Sequence, residues 1–202
     1  MAKILVIVEC SEKKDVLPAY ESSNWIQENS ILEKLSPQQR ETLLTLRRKV
    51  AESVPDRKGF LHSSKPGPDL GYNTSSKTVT YLQAHIRYRK GRAYSILLKE
   101  DMFFWGKVKK CCEQVDVLFL SPLYGVVRFD ELIRNYDIDI NDRGPSGVTP
   151  LQIWRGKLNE IIYDYAVNTG VEIGISANKQ EIRTTPPRHT PRNRESGLRR
   201  LL

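Results

Sequence analysis

The chain contains three short apolar runs, each bounded by polar residues. Residues 3–8 (KILVIV), 115–120 (VDVLFL) and 171–176 (VEIGIS) are rich in apolar, often β-branched side chains. Such runs are typical of strands that are buried on both faces of a parallel or mixed sheet. The polar residues at or just after their ends include Cys10, Ser11, Ser121 and Ser176. Because open α/β sheets bind ligands at the carboxyl ends of their strands, we expect these ends to converge on one cleft.

Apolar residues at helical spacing predict helices around these strands. Ser36 and Pro37 form a typical helix start, and the pattern that follows predicts a helix ending near Pro55. The basic residues expected to lie mostly off its apolar stripe are Arg40, Arg47, Arg48 and Lys49. Further helices are expected over residues 79–88, 93–99, 101–112 and 151–165, and a short helix or turn over residues 130–135. The pattern predicts an α/β fold: a single compact domain, residues 1–182, with a mixed, mostly buried sheet flanked by helices.

Basic residues are concentrated at the C-terminal end of the chain. The 202 residues carry a net charge of +8, and six arginines and one glutamate in residues 183–202 supply +5 of it. This segment is poor in apolar side chains, which predicts a disordered basic tail. A phosphate-bearing partner suits such a tail, through Coulomb attraction and counterion release. A solvated tail without a partner is the alternative.

Several classes of protein are disfavoured by what the sequence lacks. The longest apolar run, residues 4–8, is far shorter than the roughly 20 residues of a membrane span, so no membrane partner is expected. The three cysteines are an odd number, which favours a reducing cytoplasm over a disulfide framework. The adjacent Cys111 and Cys112 are expected in the core. Phosphate-loop, dinucleotide-binding and metal-ligand spacings are missing, so neither a cofactor nor a metal site is expected.

The most specific motif lies in residues 121–140. It begins Ser-Pro-Leu-Tyr-Gly-Val-Val-Arg and continues into a segment that contains Tyr136. This block resembles the signature block of the YaaA family of bacterial peroxide stress proteins. Similar blocks follow the family's order at residues 91–97, 151–154, 157–160 and 171–177. The loop at residues 10–14 is closer to that of small YaaA-like relatives, and an arginine-rich tail replaces the family's lysine-rich C-terminal segment.

The resemblance implies a mixed α/β fold with a positively charged cleft. It also implies a protein that binds DNA, in duplex and branched forms, and limits iron-driven damage during peroxide stress. DNA is the favoured partner and RNA is the alternative nucleic acid. The residues predicted to bind nucleic acid are Ser11, Lys13, Lys14, Ser121, Tyr124, Gly125, Arg128, Arg134 and Tyr136.

Each of these residue types suits a contact with nucleic acid. Serine hydroxyls donate to phosphates or base edges, lysines add point charges, and arginines grip phosphate through a bidentate fork. Tyrosines stack on bases, and glycine lets the backbone approach a ligand closely. Structural alternatives remain open: Tyr124 and Tyr136 as core tyrosines, and Arg128 as the ion-pair partner of Asp130 or Glu131.

An enzymatic function is a second hypothesis. A weaker likeness to the central domain of archaeosine synthase, a tRNA-modifying enzyme, favours modification of a nucleotide or nucleobase in the same cleft. The candidate catalytic residues are Cys10, Ser121, Asp137 and Asp139. Nearby lysines would lower the pKa of the Cys10 thiol, and two carboxylates that alternate on an extended segment face the same side. The structural alternatives are a half-buried cysteine at a strand end and a solvated strand face.

Overall fold

The computed structural model describes residues 3–16, 25, 30–63, 67–73 and 79–176. The strands are β1 (Lys3–Glu9), β2 (Tyr81–Gln83), β3 (Val115–Ser121), β4 (Gly125–Arg128), β5 (Leu132–Arg134) and β6 (Val171–Ser176). The helices are α1 (Pro37–Ser53), α2 (Phe60–Ser63), α3 (Ala84–Arg87), α4 (Arg92–Glu100), α5 (Phe104–Lys110), α6 (Pro150–Trp154) and α7 (Leu158–Thr169), with 3₁₀ turns over Ile31–Lys34 and Pro68–Leu70. The predicted tail, residues 183–202, and the predicted domain end at residue 182 lie outside the described residues.

A four-stranded mixed sheet forms the centre of the molecule, in the order β4-β3-β1-β6. Strand β1 pairs in parallel with both β3 and β6, and β4 returns antiparallel to β3. The predicted α/β fold with a mixed sheet is therefore confirmed, and the three apolar runs are three of its four strands. None of the helices in the described residues is long and apolar enough to cross a membrane.

Helices cover both faces of this sheet. Successive side chains of a strand point to opposite faces, so Asp116 and Phe119 of β3 face opposite ways. Asp116 accepts a hydrogen bond from Tyr165 of α7 (2.6 Å), whereas the Phe119 ring packs against Tyr94 of α4 and Trp105 of α5. The α7 helix thus lies on one face, and α4 and α5 lie on the other.

A small second sheet corrects two predictions. Strand β2 pairs antiparallel with β5, where a helix over residues 79–88 and a helix or turn over residues 130–135 were expected. The predicted helix is confirmed only for residues 84–87, which form α3. Each strand has only three residues, and Leu82 and Ile133 are paired and buried. Strands this short show no period of their own, and their pairing is a tertiary contact.

Two further predictions about burial are wrong. Arg47 is fully buried in α1, because it lies four residues after Leu43 and three before Val50, on the same helix face. Cys111 and Cys112 are exposed, because they follow the end of α5 at the surface instead of continuing into the core.

Candidate nucleic-acid interface

The loops that follow β1 and β3 meet at one edge of the sheet. The two strands are parallel neighbours, and the Cys10 N–H donates to the carbonyl oxygen of Leu120 (2.9 Å). The Lys14 Nζ lies 4.1 Å from the centre of the Tyr136 ring. We call the loop at residues 10–14 the lysine loop. The structure thus brings it against the motif at residues 121–140. What each side chain can contact depends on its burial.

Two predicted binding residues from the motif at residues 121–140, Tyr124 and Arg134, lie in the core. Arg134 binds the buried carboxylate of Asp69 through two bonds, from Nε (2.8 Å) and from Nη2 (2.6 Å). The Tyr124 hydroxyl donates to the same carboxylate (2.7 Å) and accepts from the Arg134 N–H (3.0 Å). Tyr81 also donates to Asp69 (2.9 Å). We call Asp69, Tyr81, Tyr124 and Arg134 the buried ion-pair network. The predicted contacts of Arg134 with phosphate and of Tyr124 with a base are therefore corrected, because both side chains are buried in this network.

A chain of hydroxyl groups lies beside this network. The Tyr136 hydroxyl is 2.8 Å from Ser121 Oγ and 2.8 Å from the Tyr88 hydroxyl, and Ser121 Oγ also accepts from the Tyr124 N–H (3.1 Å). Burial raises the pKa of Tyr88 and of Tyr136 well above the ordinary tyrosine value. Ser121, Tyr88 and Tyr136, here called the hydroxyl cluster, satisfy one another. The predicted contacts of Ser121 and Tyr136 with nucleic acid are corrected accordingly.

Gly125 makes room for a tryptophan instead of a ligand. Its φ is +71°, and a Cβ at this position would lie 2.6 Å from the Trp154 ring. The indole N–H of Trp154 in turn donates to the Pro122 carbonyl (2.8 Å). The glycine therefore lets the β3–β4 turn close over a core side chain.

Arg47, which the sequence pattern placed off the apolar stripe, is buried beneath the β3–β4 turn and binds its backbone. Its guanidinium donates to the carbonyls of Tyr124 (3.1 Å), Val126 (3.0 Å) and Asp69 (3.1 Å). It also forms a fully buried ion pair with Glu131 (3.2 Å). The spacing of Arg47 relative to the buried face of α1 was the one sequence signal that could have found it.

Two further charged candidates, Arg128 and Asp137, have nearby partners. Arg128 lies 3.5 Å from Asp130, the ion pair named as its structural alternative. Asp137 pairs with Arg57 (3.1 Å) and Lys58 (3.3 Å).

The two carboxylates of the predicted pair have different partners. Asp139 accepts from the backbone N–H of Asn141 (2.9 Å), whereas Asp137 forms its ion pairs elsewhere. In the described part of the chain, no group of three or more His, Cys, Asp or Glu side chains could hold a metal ion.

An open groove of about 520 Å³ lies at the end of β1. Residues 10–13 form one wall, and Lys90, Gly91, Arg92, Ala93, Tyr94 and Ser95 form the other. The charged side chains among these described residues are Glu12, Lys13, Lys90 and Arg92, so cations predominate. The wall at residues 90–95 was not predicted as part of a site, although residues 91–97 had been singled out as a motif.

Close packing joins the two walls of the groove. A Cβ at Gly91 would lie 2.3 Å from Ser11 Oγ and 2.7 Å from Ser11 Cβ, so only glycine lets α4 begin against this loop. Ser11 itself is buried, and its hydroxyl donates to the Lys13 carbonyl (2.8 Å).

A buried carboxylate fixes the second wall. Asp15 accepts from Arg89, and its Oδ1 lies 2.6 Å from Lys90 Nζ. Burial alone would raise the pKa of Asp15, but the hydrogen bonds from Lys90 and Arg89 outweigh it and lower the pKa. The carboxylate therefore stays ionised and holds residues 89–90 against the lysine loop.

Cys10 lines the groove and is half-buried. Burial raises the pKa of its thiol to about 11, although the neighbouring Lys14 acts in the opposite direction. Burial also lowers the pKa of Lys14. Because the thiolate is the reactive form, the expected activation of Cys10 by lysines is outweighed by its burial.

No protein-family model matches this chain, and no curated protein matches it either. The resemblance to the YaaA family therefore rests on the quoted motifs and stays a prediction.

Proposed function

We propose that this chain binds nucleic acid, with DNA as the favoured ligand, through phosphate contacts in the groove at the end of β1. The observation that carries the proposal is the pair of exposed cations Lys13 and Arg92 on the rim of the groove, at the carboxyl end of a parallel strand pair. Lys90, on the same rim, is already bound to Asp15. Lys13 and Arg92 are both exposed and lie on opposite walls. A phosphate between the walls would meet positive charge from both sides.

Charge, not sequence readout, accounts for such binding. The whole chain carries +8, so a polyanion gains from Coulomb attraction and from release of its counterions. Contacts to phosphates position a protein on nucleic acid but carry no base information. With the tyrosines of the signature block in the core, we expect little preference for base sequence. A role in peroxide stress rests on the motif resemblance alone.

The binding function is better supported than the enzymatic alternative. Modification of a nucleobase would call on Cys10 or Ser121, which lie next to Tyr136. The raised pKa of Cys10 keeps its thiol protonated near neutral pH, and Ser121 is buried in the hydroxyl cluster. The cations of the rim, by contrast, are exposed and need no activation.

Affinity for duplex DNA over a series of salt concentrations tests the proposal. We expect log affinity to fall linearly with log salt, with a slope that decreases by about 0.9 for each phosphate contact removed. The double variant Lys13→Ala, Arg92→Ala should therefore bind more weakly and reduce the slope by up to about 2.

The matched control is Lys109→Ala, Lys110→Ala, which removes the same charge from exposed positions of α5 away from the groove. This control should keep nearly the wild-type slope. An affinity that does not depend on salt would overturn the proposal, and so would equal losses in the two double variants.

A further inference from the structure

Two of the chain's three cysteines stand side by side at the surface. Cys111 and Cys112 follow the end of α5, and both are exposed. The turn that carries them is fixed at both ends. The Cys111 N–H donates to the Lys107 carbonyl (2.9 Å), and the Cys111 carbonyl accepts from the N–H of Val115 (2.9 Å), the first residue of β3. The two thiols, here called the thiol pair, are therefore presented to solvent on an anchored backbone.

The geometry of the thiol pair is poorly suited to a disulfide within the pair. Neighbouring Cα atoms are about 3.8 Å apart, whereas a disulfide usually joins Cα atoms that are roughly 4.4–6.8 Å apart. An ion between the sulfurs relaxes this constraint, because two metal–sulfur bonds of about 2.3 Å replace one sulfur–sulfur bond of about 2.05 Å. Rotation about the two exposed Cα–Cβ bonds then brings both sulfurs to one ion.

The third cysteine lies far from the thiol pair. Cys10 follows β1 at the carboxyl end of the parallel strands, whereas Cys111 and Cys112 precede β3 at the amino end. The seven residues of β3 therefore separate Cys10 from the pair by about 20 Å. The pair is equally distant from the groove, so it is a separate site.

The number of available ligands selects the kind of ion. In the described part of the chain, the thiol pair does not belong to any group of three or more His, Cys, Asp or Glu side chains that could hold a metal. Structural zinc requires four protein ligands, which the pair does not supply. The sequence-based expectation of no metal site rested on spaced ligand motifs, and two adjacent cysteines fall outside such motifs. The pair suits an ion that is satisfied by two sulfur ligands.

We propose that the thiol pair binds a thiophilic ion of low coordination number through two thiolates. Soft thiolate ligands favour copper(I), and trivalent arsenic shares this chemistry. Copper(I) displaces a proton from each thiol and leaves a singly negative complex with two copper–sulfur bonds. An organoarsenic(III) oxide instead condenses with both thiols, so that two arsenic–sulfur bonds form and the oxygen leaves as water. Neither step changes an oxidation state.

The charges around the thiol pair favour a negative complex to a small extent. Lys109 and Lys110 precede the pair and Glu113 follows it, all three exposed. Lys107 is already paired with Asp101 (2.7 Å). Because water and salt screen exposed charges, the two sulfur ligands supply most of the affinity.

Competition for copper(I) tests the inference. The reduced full chain is titrated without oxygen against the coloured copper(I) complex of bicinchoninate. The wild type should withdraw one copper(I) per chain. Cys111→Ser and, separately, Cys112→Ser should weaken this binding by at least about 100-fold, because the second thiolate no longer binds intramolecularly. Both side chains are exposed, so the variants should fold, which circular dichroism checks.

The matched control is Cys10→Ser, which removes one thiol at the other end of the sheet. It should bind copper(I) like the wild type. Phenylarsine oxide is the second probe. Mass spectrometry should find one phenylarsenic group on the wild type and on the control, and none on the double variant Cys111→Ser, Cys112→Ser.

Three results would overturn the inference. The first is that the wild type binds neither probe, and the second is that the single variants Cys111→Ser and Cys112→Ser bind as tightly as the wild type. The third is an equal loss of binding in Cys10→Ser. Because DNA binding is measured with Lys13→Ala, Arg92→Ala, failure of the ion site leaves the proposed function untouched.

Discussion

The buried ion-pair network and the open groove lie at the same end of the sheet, but they use the same residue types differently. In the network, Arg134 has its guanidinium bound to Asp69, and Tyr124 has its hydroxyl bonded on both sides. In the groove, Lys13 and Arg92 are exposed on facing walls. An internal carboxylate thus takes Arg134 away from any ligand, whereas Arg92 keeps its side chain at the surface of the groove.

The largest effect should come from breaking the network. Arg134→Ala leaves the fully buried Asp69 carboxylate without its bidentate partner, and we expect the free energy of unfolding to fall by about 3–5 kcal/mol. Urea denaturation measures the change. Lys13→Ala, on the exposed groove wall, should stay within about 0.5 kcal/mol of the wild type. A stable Arg134→Ala variant with weakened DNA binding would reverse the assignment of the two regions.

A smaller effect should follow from separating the groove walls. Gly91→Ala places a methyl group against Ser11, so we expect a loss of about 1–3 kcal/mol in unfolding free energy together with weaker DNA binding. Gly106→Ala is the matched control in α5, since a Cβ there would meet no atom within 4 Å. It should be neutral or stabilising, because alanine favours a helix over glycine. Equal stability of the two variants would show that the walls are not closely packed.

The smallest effect concerns the thiol in the groove. In the variant Cys111→Ser, Cys112→Ser, Cys10 is the remaining cysteine of the chain. Only the thiolate reacts, so the raised pKa predicts slow alkylation at neutral pH and a rate that increases up to about pH 11. Mass spectrometry after iodoacetamide treatment follows the reaction. Rapid alkylation at pH 7 would contradict the raised pKa of Cys10 and favour the enzymatic alternative.

Much of the fold could be predicted from local patterns. The runs at residues 3–8, 115–120 and 171–176 are apolar on both faces, and only a covered parallel or mixed sheet buries such strands. Ser36 does cap α1, with Oγ accepting from the Gln39 N–H (3.5 Å). Strands β2 and β5 could not be predicted in this way, because three residues carry too little pattern to distinguish a strand from a helix.

The sequence predicted where the candidate site lies but not which side chains line it. The apolar runs predicted buried strands whose ends converge, and the observed parallel pairing of β1 and β3 brings residues 10–14 near Ser121. Which polar side chains face solvent there was not predictable, because Asp69, the partner of Arg134, lies 65 residues earlier in the chain. The opposite wall of the groove, residues 90–95, likewise reaches Ser11 only in the folded chain.

By itself, the sequence determined the α/β class, the buried strands, the start of α1 and the excess of positive charge, because each depends on neighbouring residues or on composition. Tertiary structure alone decided that Tyr124, Tyr136 and Arg134 belong to the core and that Lys13 and Arg92 border a groove. The physical reason is that a polar side chain is buried only where distant partners satisfy its hydrogen bonds and charge, and those partners meet only when the chain folds.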